Sequence, residues 1–134
     1  MKIDELLDSN FAEIGESWFQ NKDDGLLVLK FEATWCGPCK MMTSKLNELE
    51  DDYFGEDVKV CSVDIDKSND LCEVFQIQSV PTMVILCKPY FTKILEEGGM
   101  EVVQIPYING SIPMVELKQF IDKYKKDELW KIQK

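Results

Sequence analysis

Apolar residues recur along the chain with two periods. Spacings of three and four mark helices; alternation and short unbroken runs mark strands. Phe11, Ile14, Trp18 and Phe19 fall at i, i+3, i+7 and i+8, one buried helical face. That helix starts after Asn10, a favoured N-cap, and ends at Asp23-Asp24-Gly25. Leu26 to Ala33 is an apolar run suited to a sheet interior. A second helix begins around Cys36 to Cys39, with Met42, Leu46, Leu49 and Tyr53 on one side and Gly55 as its stop. Val58 to Asp64 alternates as a strand, with Val58, Val60 and Ser62 on one face and Lys59, Cys61 and Val63 on the other. A short helix from Ser68 to Phe75 carries Leu71, Val74 and Phe75, and Thr82 to Cys87 is a further strand.

Lys88 to Glu101 fits neither period cleanly. Val102 to Ile108 reads as the last strand, antiparallel to Thr82 to Cys87. The final helix opens near Pro113, a favoured first-turn residue, and shows one apolar face of Leu117, Phe120, Ile121 and Tyr124. The tail from Lys125 to Lys134 is expected to fray, with Leu129, Trp130 and Ile132 as candidates to dock. The order predicts an α/β layer with a βαβ core and a closing hairpin. No repeat, low-complexity stretch or linker divides residues 1–134, so one domain is expected.

Composition narrows the function. The 134 residues are 45% hydrophobic and 30% charged, which suits a soluble globular domain. No run approaches the roughly 18 apolar residues of a membrane span, and the opening residues lack the apolar core of a secretory signal. A cytoplasmic protein is the expectation. There are 25 acids against 15 lysines, with no arginine and no histidine, for a net charge of −10. Nucleic-acid and membrane-surface partners are therefore not expected, because both need a basic face. The absence of histidine removes Cys-His and Ser-His catalysis and histidine metal sites. Five cysteines at irregular spacing (Cys36, Cys39, Cys61, Cys72 and Cys87) do not form a disulfide framework and fit a reducing compartment. Cys61, Cys72 and Cys87 read as small buried apolar residues. The acidic run around Glu48 to Asp57 reads as a solvated face that can steer a basic partner.

The chemistry sits at Trp35-Cys36-Gly37-Pro38-Cys39. Two cysteines at i and i+3 on a first helical turn share a face, with Cα atoms roughly 5 Å apart. A disulfide accepts that separation, so the pair can open and close with little backbone movement. Cys36 would sit at the helix N-terminus, where free N–H groups favour a thiolate, which makes it the attacking sulfur. Cys39, one turn in, would resolve the mixed disulfide. Pro38 costs no hydrogen bond in the first turn and stiffens the loop. Gly37 leaves room beside the sulfur, and Trp35 offers a flat apolar surface. A half zinc site and a structural disulfide are the competing readings. The first lacks two further ligands at suitable spacing, and the second suits an oxidising compartment.

Ala33-Thr34-Trp35-Cys36-Gly37-Pro38-Cys39-Lys40-Met41 resembles the active-site segment of the thioredoxin family. Val63-Asp64-Ile65-Asp66 resembles its next strand end, Ser79-Val80-Pro81-Thr82 its cis-proline loop, and Gly110 with Leu117-Lys118-Gln119-Phe120-Ile121 its closing glycine and last helix. The likeness runs from about Phe11 to Tyr124. It implies the thioredoxin fold, a central mixed β-sheet flanked by helices. It also implies a site facing a cis Pro81 across a shallow apolar groove, where the backbone at Val80 pairs with the substrate chain. The implied activity is reduction of disulfide-containing client proteins at Cys36 and Cys39. The resemblance implies no metal or bound organic cofactor, and electrons from a thioredoxin-reductase-like donor. A monomer is expected.

Two departures stand out. The family usually buries an aspartate six residues before the first active cysteine, and here that position is Lys30. The lysine that partners that aspartate falls at Ser62. Lys30 shares a strand face with Val28 and Glu32. It either tunes the acidity of Cys39, as a charge or as a proton acceptor, or snorkels out or pairs with Glu32 without doing chemistry. The second departure is an insertion of about a dozen residues, near 88–101, in the last β-hairpin. Tyr90 and Phe91 there either meet a partner or pack on the domain. Both departures favour one rival reading, a redox-idle binding or adaptor protein; the other rival is a disulfide oxidant or isomerase, against which Gly37-Pro38 between the cysteines and the missing signal peptide argue.

Overall fold

The computed structural model describes residues 3–50, 57–99 and 104–125. The chain runs β1 (Asp4–Glu5), α1 (Phe11–Asn21), β2 (Leu26–Glu32), α2 (Gly37–Leu49), β3 (Val58–Asp64), α3 (Asn69–Val74), β4 (Thr82–Leu86), α4 (Lys88–Glu97), β5 (Tyr107–Asn109) and α5 (Met114–Lys125). The strands form one sheet in the order β1-β3-β2-β4-β5. β1 and β2 run parallel to β3, while β4 is antiparallel to β2 and β5 to β4.

β2 is the centre of this arrangement. Leu26 through Phe31 are all buried, because both faces of the strand are covered. That is why its sequence reads as an apolar run rather than an alternation. On one face Leu27, Leu29 and Phe31 join Cys61, Val63, Val84 and Leu86 beneath the helices α1, α3 and α4. On the other, Leu26 and Val28 join Val58, Val60, Met83 and Ile85 beneath α2 and α5, which contribute Met42, Leu46, Leu117 and Ile121. The alternation of β3 therefore divides its side chains between two half-cores, as its pattern predicts.

Four elements differ from the sequence expectation: β1, the start of α1, β5 and α4. β1 has the polar sequence Asp4-Glu5, so it carries no apolar signal. Backbone pairing fixes it: Asp4 and Glu5 lie against Cys61 and Ser62, and the Leu6 N–H donates to the Ser62 carbonyl at 2.7 Å. Asn10 precedes α1 but does not cap it; its side-chain oxygen accepts the Leu7 N–H at 2.8 Å, tightening the preceding turn instead. The expected last strand begins later than predicted, at Tyr107. Of the earlier positions, 102 and 103 lie outside the described residues, and Pro106 has no N–H to give a ladder. Tyr53, Gly55, most of the acidic run and the tail beyond residue 125 also lie outside the described residues.

The segment expected to be an insertion in the last hairpin is a ten-residue helix, α4. Pro89 occupies its first turn, Phe91 and Ile94 are buried at i and i+3, and Gly98 ends it at φ 96°. Its two apolar anchors are too few to raise a clear helical period in the sequence. Phe91 is inserted between Phe11 and Phe19 of α1, with ring centroids 5.3 and 5.4 Å away. The packing reading of Phe91 is thus the observed one.

Gly15 of α1 makes that insertion possible. A Cβ at this position would lie 2.1 Å from the Phe91 ring. The ring is clamped by two neighbours and cannot swing away cheaply. Overpacking of this kind costs about 1–3 kcal/mol. Alanine gains roughly 1 kcal/mol over glycine inside a helix. Gly15→Ala is therefore expected to lower the urea midpoint of unfolding, and a raised midpoint would show that the α1–α4 contact is loose.

Candidate active site at the start of helix α2

β2 delivers the chain at Glu32 to a short turn, and α2 begins at Gly37. Cys36 is the N-cap of α2, with φ −94° and ψ 109°. Extended backbone at the N-cap is what lets its side chain turn back over the first helical turn. The Cys36 sulfur accepts the Cys39 N–H at 3.2 Å, so it takes the place of the usual capping oxygen. The two residues form a disulfide across a Cα separation of 5.3 Å. Both are buried, Cys36 to 5% exposure and Cys39 to 2%. Pro38 sits in the first turn, where no helical hydrogen bond is lost.

The surroundings are asymmetric. Ala33, half-buried Ile65 and half-buried Val80 pack against the cysteine pair. Val80 comes from the loop before β4, and the Val80–Pro81 peptide bond is cis. The Gly110 N–H donates to the Pro81 carbonyl at 2.7 Å, tying this loop to the end of β5. Trp35, by contrast, is 68% exposed. Its indole N–H donates to Asp66 Oδ2 at 3.1 Å, which fixes the ring beside the site. Gly37 and Pro38 are exposed, and a Cβ on Gly37 would meet nothing within 4 Å. The result is a sulfur pair packed by Ala33, Ile65 and Val80, with an exposed indole and an open first turn next to it in the chain.

Lys30 is buried to 1% exposure and does not snorkel out. Its ammonium is bound to Glu32 Oε1 and Thr43 Oγ1, and the strand register sets it between Ser62 and Met83. Of the readings of Lys30 that do no chemistry, pairing with Glu32 is the one observed. The sequence reading missed two contributors. Thr43 stands one helical turn beyond Cys39, and its hydroxyl donates to the Cys39 carbonyl at 3.0 Å. Asp66 holds the indole of Trp35. The i+4 spacing of Thr43 was visible in the sequence; the contact between Trp35 and Asp66, 31 residues apart, was not.

Comparison with known proteins decides the family. The sequence model of the thioredoxin family matches residues 5–123. The chain belongs to the thioredoxin family. A thioredoxin of Listeria monocytogenes is 32% identical over 122 residues, 91% of this chain and 98% of the relative. A thioredoxin of Staphylococcus haemolyticus is 36% identical over 85 residues, covering 63% of this chain and 74% of the relative. Among solved structures, the germline-specific thioredoxin Deadhead of Drosophila melanogaster is similar, with a TM-score of 0.68 at 27% identity over 91% of this chain and 98% of that one. Chloroplastic thioredoxin z shares the fold at a TM-score of 0.69 and 23% identity, covering 95% of this chain and 97% of that one. With its paired cysteines at disulfide distance, this thioredoxin-family protein is a thiol–disulfide oxidoreductase.

Two further cysteines of this thioredoxin-fold chain, Cys61 and Cys72, are chemically muted. Burial pushes the Cys61 thiol up to about 12. Burial, helped by the carboxylates of Asp8, Asp66 and Asp64, also pushes Cys72 up. A raised thiol stays protonated at neutral pH and reacts slowly. At pH 8, iodoacetamide added to reduced protein is expected to leave Cys61 unlabelled while Cys36 is modified. Labelling of Cys61 at the rate of Cys36, read by peptide mass spectrometry, would contradict this account of its burial.

Proposed function

We propose that this protein reduces disulfides in client proteins, with Cys36 as nucleophile and Cys39 as resolving thiol. The observation that carries the reading is the inequality of the two sulfurs. Cys36 caps α2 and receives a helix N–H, while Cys39 lies inside the first turn. Charge on the Cys36 sulfur is stabilised by the same N–H and by the helix N-terminus.

The exchange balances in two steps. The Cys36 thiolate attacks one sulfur of a client disulfide, and the other leaves as a thiolate that takes a proton from water. The Cys39 thiolate then attacks the Cys36 sulfur. This closes the intramolecular disulfide and releases the second client thiol. Two electrons pass to the client, and the Cys36–Cys39 disulfide remains. A donor of the thioredoxin-reductase kind returns the two electrons, which gives the chain a place in electron transport and cell redox homeostasis.

The remaining site residues serve binding. Trp35 presents a flat face, and Gly37 and Pro38 leave the first turn open to a client backbone. The main chain at Val80, held by Pro81, pairs with the client as one residue of added strand. Neither a metal nor a bound organic cofactor is needed for this chemistry. We read the protein as a cytoplasmic monomer. Among the described residues no helix is long and apolar enough to cross a membrane. The net charge of −10 argues against nucleic acid or an anionic membrane as a partner.

The test is turnover of a protein disulfide with dithiothreitol as donor. Wild-type protein should accelerate reduction, and Cys36→Ser should fall to the uncatalysed rate. Cys39→Ser should accumulate a mixed disulfide with the client. Folded wild-type protein without turnover would favour the adaptor reading instead.

A further inference from the structure

Lys30 lies on the strand that is covered on both faces, at 1% exposure. An ammonium there needs a counter-charge and hydrogen-bond acceptors. It has both, in Glu32 Oε1 and Thr43 Oγ1. Glu32 follows two residues along the same strand face, and its side chain is 29% exposed. The pair is therefore dry at its cationic end and open to water at its anionic end.

Thr43 connects the pair to the redox site. A hydroxyl has one hydrogen to give. Its 3.0 Å approach to the Cys39 carbonyl is a better bond than its 3.4 Å approach to Glu32. Thr43 therefore accepts from Lys30 and donates to Cys39. The ammonium stands two hydrogen bonds from the main chain of the resolving cysteine.

We propose that Lys30 and Glu32 are opposed positioning residues for Cys39, whose charges pull its thiol in opposite directions and balance in the intact protein. This rests on Cys39 acting as the resolving thiol. A buried positive charge favours the Cys39 thiolate, and a nearby negative charge disfavours it. Low local dielectric strengthens both effects relative to the surface. Because the two charges are bound to each other, neither acts alone until its partner is removed.

Other groups near Cys39 do not change across the comparison. The apolar residues clustered with it are Ala33, Cys36, Ile65 and Val80. Charged groups on adjoining elements are Lys40, Lys45 and Glu48 of α2, Lys59 and Asp64 of β3, and Asp66 just beyond it. Asp64 Oδ1 accepts the Asp66 N–H, and Asp66 Oδ2 accepts the Trp35 indole N–H.

The experiment is the pH dependence of iodoacetamide alkylation at Cys39, in the Cys36→Ser background, read by mass spectrometry of the tryptic peptide that ends at Lys40. This reads the thiol directly and needs no catalytic turnover, so it stands apart from the test of the reductase reading. Lys30→Met leaves Glu32 unbalanced and should move the titration midpoint up by about one pH unit. Glu32→Gln leaves Lys30 unbalanced and should move it down. The double variant should return to the parent midpoint. Should Glu32→Gln fail to fold, the double variant compared with Lys30→Met carries the test, since only balanced charges predict the return. Shifts in the same direction, or no shift from Lys30→Met, would overturn the proposal.

Discussion

The structure depends on one strand buried on both faces. β2 places apolar side chains alternately into two half-cores, and every other element takes its position against them. β3 and β4 flank it in opposite senses, and helices cover both sides. The same strand ends beside the turn that presents Cys36 to the N-terminus of α2. Stability and chemistry therefore share a single element. The strand that cannot move because it is packed on both sides is the strand that fixes where the sulfur points.

A charged residue in such a strand is expensive unless it is matched. Lys30 is matched, by a carboxylate on its own strand and a hydroxyl on the facing helix. This bridge joins β2 to α2 at Thr43, one helical turn beyond Cys39, where hydrophobic contact alone would do the same mechanical work. A polar bridge adds a field at the site, which an apolar side chain of equal volume would not. At Cys61 burial outweighs the opposing charge of Lys59 and pushes the thiol up to about 12.

Much of this was legible in the sequence where the signal was local. β2 and β3 show their burial directly, as a run and as an alternation. The Cys36–Cys39 spacing on a first turn carried the disulfide geometry, because helical periodicity fixes it. The illegible parts were those set by distant partners. β1 is a strand only because Cys61 and Ser62 offer it hydrogen bonds. α4 is a helix held by Phe91 in a slot that Gly15 leaves open, and neither residue announces the other. Lys30 was visible as a departure, but whether it faced water depended on Thr43 and Glu32. Local patterns specify elements; what closes around them is specified by the fold.

The two edges of the described sheet have a further meaning. β1 is two residues long and acidic, with Asp4 bound to Lys59 at 2.8 Å, and β5 is three residues long with Pro106 before it. Exposed strand edges recruit other chains without discrimination. Here the described rims are short, charged or interrupted by proline, so that an extended chain gains little by adhering there. Those rims leave little unpaired backbone for a second chain to extend.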